Sequence, residues 1–207
     1  MADYTFFFNP MSRAQIARWA LHEARADYDS VMVPWEDKPD ALIKANPMAK
    51  VPTIIHHHTD GDRVVSEAAA ICHYLAEAEA PDLLPQDAEK ADYFRWMFFA
   101  AGPLEQAITA KALGWTVSDK EQVMAGFGSY ERTVDALEGW LSAHDYVSGA
   151  RFTMADVYVG SAVDWGLQFK SLPERAAFSA YQARIVNRPA YNAAKAIDYK
   201  LIEEMQP

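Results

Sequence analysis

A chain of 207 residues, 51% apolar and 13% aromatic, is long enough for one domain or two small ones with a real core. Its formal charge of −10 argues against nucleic acid and anionic membrane as main partners, and no apolar run reaches the length that spans a bilayer. The single cysteine, Cys72, excludes an intramolecular disulfide and a Cys-x-x-Cys redox pair, which leads us to expect a soluble cytoplasmic protein.

The opening residues lack the basic head and the long apolar run of a signal peptide. Tyr4-Thr5-Phe6-Phe7-Phe8 reads instead as a strand, ended by the turn Asn9-Pro10-Met11-Ser12. Ile16, Trp19, Ala20 and Glu23 then recur at helical spacing. Residues 30–33 predict a second strand, buried and parallel to the first through a βαβ crossover. A short helix is expected over 39–45, stopped by Asn46 and Pro47. Two apolar runs around Asp60-Gly61 predict a hairpin, from Val51-Pro52-Thr53-Ile54-Ile55 to Arg63-Val64-Val65. A third helix is expected over 67–78.

Residues 80–86, with Pro81 and Pro85, form the one convincing linker. Beyond it all is helical pattern. One long helix is expected over 88–113, kinked by Gly102-Pro103 because proline removes a ladder hydrogen bond and clashes with the preceding turn. Others are expected over 119–143, 153–168, 173–186 and 189–196. The chain thus divides into an α/β domain over 1–79, in the element order of a thioredoxin-like domain, and an all-α domain over 87–207.

Asn46-Pro47-Met48-Ala49-Lys50-Val51-Pro52-Thr53 leads into the hairpin, and Ser66-Glu67-Ala68-Ala69-Ala70-Ile71 follows it. A Val-Pro bend entering a hairpin that feeds an acidic helix start ties separated elements to one small-molecule site. This arrangement, with the helical half behind it, resembles the cytosolic glutathione transferase family of the bacterial kind over essentially the whole chain. The resemblance implies a homodimer that binds glutathione as co-substrate and attacks a small hydrophobic electrophile, as in detoxification. Glutathione-dependent peroxide reduction is an allied activity of such a site.

The resemblance also assigns residues. The Val51-Pro52 bond would be cis, turning the Val51 amide and carbonyl toward the cysteinyl part of glutathione as an added strand. Lys50 and Lys38 would meet the glycyl carboxylate. Glu67 and the Ala68 amide, at a helix N-terminus, would hold the γ-glutamyl end. Ala68 stands where the family has serine and lacks its hydroxyl, a loss of about 0.5–1.5 kcal/mol. Ala49 stands where glycine is common, so a negative φ is expected there.

The slot where thioredoxin-like proteins keep their reactive cysteines holds Asn9 and Ser12 instead. Disulfide exchange is thereby excluded, and a donor to a thiolate at a helix N-terminus remains. Ser12 is the first candidate and Asn9 the second, since serine-type members often carry their serine at the position of Asn9. Tyr4 is an outsider, and Arg13 is expected to be structural. Phe99, Pro103, Trp115 and Phe169 are the candidates for the co-substrate pocket.

Three further features have simpler readings. Thr153 and Asp156 form a capping box with Phe152 and Val157 as its staple, so Asp156 is expected to be buried and structural. Of His56-His57-His58, only the outer two share a strand face, and no metal site is expected. Cys72 is expected to be packed and inert. The rival function class is a non-catalytic glutathione-binding or interaction protein on the same fold, favoured by Ala68 and Asn9.

Overall fold

The computed structural model describes residues 2–205 and groups them into two compact units, one running to Leu84 and resuming at Asn187, the other spanning Pro85–Val186. In the first, β1 (Tyr4–Phe8) and β2 (Tyr28–Met32) flank α1 (Ala14–Ala24), followed by α2 (Asp40–Ala45), β3 (Thr53–His56), β4 (Arg63–Ser66) and α3 (Ala68–Ala78). The four strands run in the order β2-β1-β3-β4. The first pair is parallel and the others antiparallel.

Strand alternation sorts the apolar residues of β1 between two faces. Phe6 and Phe8 turn toward α1, where the Arg18 guanidinium lies 5.2 and 4.3 Å from their ring centres. Phe7 turns the other way and packs with Val33 and Leu42, joined by Val31, Val51 and Ile55. The central strand is therefore apolar on both faces.

The second strand is parallel to the first, as expected, but it starts earlier than 30–33 and is not buried. It is the sheet edge, with Asp29, Ser30 and Met32 exposed. Edge position is set by strand order, which a local pattern does not carry. Val33 is buried, just past the strand, and its N–H donates to the Phe8 carbonyl at 2.7 Å.

The closing helix, α9 (Pro189–Met205), runs well beyond the expected 189–196 and packs on α1. Along their antiparallel seam Gln15 meets Lys195, Trp19 stacks edge-on against Tyr191, and Glu23 pairs with Arg188. Packing thus gathers the chain's last helix onto the first unit.

The second unit is helical. Expected as a single kinked helix, 88–113 comprises α4 (Lys90–Phe99), a π-helical turn over Ala100–Leu104, and α5 (Glu105–Ala112). Pro103 lies inside the wide turn, which accommodates the ladder bond that proline cannot make. The helix expected over 119–143 is shorter. Gly128 has φ +64°, and Ser129 caps a helix that begins only at Tyr130, α6 (Tyr130–Leu141). Upstream there is only a short 3-10 turn, Glu121–Val123. Then come α7 (Met154–Gln168) and α8 (Ala176–Ile185), the latter starting later than the expected 173.

The capping box at the start of α7 is built as the sequence predicts. Asp156 is fully buried and its carboxylate accepts from the Thr153 N–H at 2.8 Å, the Val147 N–H at 2.9 Å and the Tyr181 hydroxyl at 2.8 Å. Burial pushes its pKa up to about 6, against the pull of those donors. Among the described residues no helix is long and apolar enough to cross a membrane.

Candidate active site

Strand register brings the separated motifs to one end of the sheet. Phe7 pairs with Thr53, and Thr53 pairs with Ser66. The end of β1, the start of β3 and the end of β4 therefore lie side by side. The turn 9–12, the Val51-Pro52 bend and the start of α3 extend from these neighbouring ends.

The turn is held from below. Asn9 is 1% exposed. Its side-chain amide donates to the Val33 carbonyl at 3.0 Å, and its side-chain oxygen accepts from the Met11 N–H at 2.9 Å. The Asn9 carbonyl accepts from both the Ser12 N–H, at 3.1 Å, and the Ser12 hydroxyl, at 2.7 Å. Both ends of the Asn9 carboxamide thus engage backbone groups.

Ser12 is half-buried at the mouth of α1, where its hydroxyl also accepts from the Ala14 N–H at 3.1 Å. It can donate to an anion by turning its O–H away from the Asn9 carbonyl. Arg13 is exposed. Tyr4 is buried with its hydroxyl on Glu79 at 2.8 Å, and burial with that carboxylate pushes its pKa well above the ordinary range. A phenol so held is a poor proton donor to a thiolate.

The Val51-Pro52 bond is cis. Neither the N–H nor the carbonyl of Val51 has a backbone partner among the described residues. Asn46, buried and not singled out from sequence, holds this bend by donating to the Lys50 carbonyl at 3.2 Å and to the Thr53 hydroxyl at 3.1 Å. In sequence it reads as the helix stop and the start of the motif leading into the hairpin, and its side-chain contacts are not anticipated there. The Lys50 side chain is exposed. Ala49 departs from expectation: its φ is +50°, the left-handed region that a Cβ makes costly by roughly 1–2 kcal/mol. The Asn46 carbonyl accepts the Ala49 N–H at 2.7 Å and secures that conformation.

Glu67 also has positive φ, +69°, and is exposed beside a buried Ala68. Strain of this kind gathers at ligand clamps. The first backbone bond of α3 runs from the Ile71 N–H to the Glu67 carbonyl, so the amides of Ala68, Ala69 and Ala70 open the helix without intrahelical acceptors. Lys38 is half-buried in the loop after β2, its ammonium 5.3 Å from the Trp35 ring centre.

The co-substrate candidates lie in the second unit. Phe99 and Pro103 are half-buried at the π-helical turn, while Trp115 and Phe169 are 65% and 75% exposed. His56 and His58 share a face 2.9 Å apart, and His57 turns the other way to Thr5 and Asp62. Among the described residues no group of three or more His, Cys, Asp or Glu side chains is placed to hold a metal. Cys72 is fully buried, and that burial raises its thiol pKa.

The sequence description of glutathione S-transferase N-terminal domains matches residues 10–78, and that of the C-terminal domains residues 77–189. A glutathione S-transferase of Hyoscyamus muticus is 30% identical over 197 residues, covering 87% of this chain and 90% of the relative. The theta class enzyme from the citrus canker pathogen Xanthomonas axonopodis pv. citri, solved with glutathione bound, superposes with a TM-score of 0.71 at 27% identity, over 94% of this chain and 97% of that one. URE2P6 from Phanerochaete chrysosporium, solved with oxidized glutathione, gives a TM-score of 0.78 over 96% of this chain and 97% of its own, at 20% identity.

Proposed function

The chain belongs to the glutathione S-transferase family, and on that premise we propose that Ser12 is the residue that stabilises the thiolate of bound glutathione. The protein is a glutathione transferase and uses glutathione as its thiol co-substrate. The observation that carries the assignment is the hydroxyl of Ser12, half-buried on a turn whose other candidate, Asn9, is buried beneath it. One charge-assisted hydrogen bond is worth about 1.5–3 kcal/mol. Each unit of thiol pKa takes about 1.36 kcal/mol. A single hydroxyl thus lowers the thiol pKa by about one to two units. The thiolate then attacks an electrophilic carbon, and the leaving group departs with the bonding electron pair. Turnover of a generic aryl halide by a Ser12→Ala variant tests the assignment.

The rest of the proposed glutathione contacts follow from the same end of the sheet. The Val51 N–H and carbonyl pair with the cysteinyl backbone, and Pro52 shapes the bend. Lys50 and Lys38 meet the glycyl carboxylate. The Ala68 amide receives the γ-glutamyl carboxylate, and Glu67 pairs with the adjacent amine. Glu67→Ala is expected to weaken glutathione binding about tenfold, or ~1.4 kcal/mol. Calorimetric titration checks this, and an unchanged Kd removes Glu67 from the site.

The apolar electrophile is assigned to Phe99, Pro103, Trp115 and Phe169. A homodimer is proposed as well, supported by Phe94 and Phe98, which are exposed one turn apart on α4. Sedimentation equilibrium should return twice the chain mass, and a single chain mass would refute the dimer. A cytoplasmic location fits a chain whose one cysteine is reduced and buried.

A further inference from the structure

We propose that Lys195, from the far end of the chain, is a positioning residue for the thiol-activating turn. It acts through Gln15. Lys195 is 7% exposed on α9, and its ammonium donates to the Gln15 side-chain oxygen at 2.7 Å. The Gln15 side-chain amide in turn donates to the Pro10 carbonyl. On the other side of that same peptide, the Met11 N–H donates to Asn9 at 2.9 Å. The Pro10–Met11 peptide is thus gripped at both ends, and it immediately precedes Ser12.

The choice of lysine has a chemical reason. A glutamine amide can present either its oxygen or its nitrogen to a neighbour. An ammonium only donates and a carbonyl only accepts. Lys195 at one end and Pro10 at the other therefore fix Gln15 in one orientation, with its donor aimed at the turn. A methionine of similar length would leave the glutamine oxygen buried without a donor and its orientation held by Pro10 alone.

Two aromatic rings of the same helix flank the ammonium. Its ring neighbours are Tyr191 and Tyr199, at 5.5 and 5.7 Å. Asp198 lies one turn further along α9 and is paired with Arg18 on α1 at 2.9 Å. That second rung ties the helices together but makes no contact with the turn. Arg188 and Glu23 form a third, bidentate rung at the other end of the seam, at 2.6 and 2.7 Å.

The inference rests on the reading of this turn as the thiol site, and the test separates the two. The thiolate absorbance of glutathione bound to the whole protein is titrated with pH for the native chain, Lys195→Met, Lys195→Arg, Gln15→Glu and Arg188→Gln. Lys195→Met is expected to raise the bound thiol pKa by about half to one unit and to lower kcat roughly two- to sixfold at neutral pH, with KM for glutathione changed less than about twofold. Lys195→Arg should restore most of both. Gln15→Glu keeps an acceptor for Lys195 but has no donor for Pro10, so it should repeat the Lys195→Met result. Arg188→Gln loosens the same helix seam and should lower the melting temperature without moving the thiol.

A folded Lys195→Met protein with an unshifted thiol overturns the inference while leaving the Ser12 reading intact. If Lys195→Met does not fold, Gln15→Glu decides on the same criterion. A shift of equal size in Arg188→Gln also overturns it, since general loosening would then be the cause. A native protein with an unlowered thiol overturns the site reading itself and the inference with it.

Discussion

Replacing Ser12 with alanine is expected to cut kcat/KM for a generic electrophile at saturating glutathione by about 8- to 25-fold at neutral pH, because the bound thiol would lose the proposed hydrogen bond that lowers its pKa by one to two units. An unperturbed thiol titrates near 8.5, so only a few per cent is ionised at pH 7. The deficit should therefore shrink as pH rises past about 8.5, where the thiol ionises without help. Glutathione affinity should change little, since the backbone contacts proposed at Val51 and Ala68 are left in place. The comparison that decides is Asn9→Ala. That change strips the Val33 carbonyl and the Met11 N–H of their partners under the turn. It should lower the unfolding free energy by about 2–4 kcal/mol and cost less turnover per folded molecule than Ser12→Ala. Parallel rate and denaturation measurements on the two variants read both effects. A larger turnover loss in Asn9→Ala moves the thiolate contact to Asn9.

The largest loss of stability is expected at Asp156. Its carboxylate joins three segments: Thr153 at the start of α7, Val147 in the preceding loop and Tyr181 on α8. Asp156→Ala leaves those buried donors unpaired, and about 1–3 kcal/mol for each unsatisfied group adds to roughly 3–5 kcal/mol after partial relaxation. Urea denaturation followed by circular dichroism gives the number, and a loss below 1 kcal/mol would contradict the assigned role. The pH dependence has a definite sign. Because burial raises the folded-state pKa to about 6, above the unfolded value, the stability conferred by the protonated group is complete below about pH 4 and is lost as pH rises through 6. The gap between native protein and Asp156→Ala should narrow across that window.

What the sequence made legible was local. Tyr4-Thr5-Phe6-Phe7-Phe8, the Val51-Pro52 bend, the hairpin around Asp60-Gly61 and the Thr153–Asp156 cap each carry their signal within a few residues, and each forms as read. What it hid was set by distance or by a single torsion. The exposure of β2 depends on its being an edge strand. The break before α6 turns on the left-handed Gly128 inside a pattern that otherwise continues. Ala49 adopts positive φ because Asn46 holds the bend around it, which residue type alone opposes. Gln15 looks like one more polar residue on a helix, and only the fold brings it to Lys195, 180 positions away.

The same limit applied to the site. The candidates on the turn were visible because a thioredoxin-like order marks that turn. The separate duties proposed for them were not, since Asn9 and Ser12 are equally polar in sequence. Burial distinguishes them: one side chain is spent on Val33 and Met11, and the other stands at the mouth of α1.

Activation of a thiol by the turn 9–12 is open to a direct reading. Its most direct measurement is the ultraviolet absorbance of the glutathione thiolate on the protein, titrated with pH against S-methylglutathione as the control that cannot ionise. Expected are saturable binding and a bound thiol that titrates one to two units below the free one, near pH 7. Saturable binding of glutathione with a thiol that titrates as it does in water would contradict it.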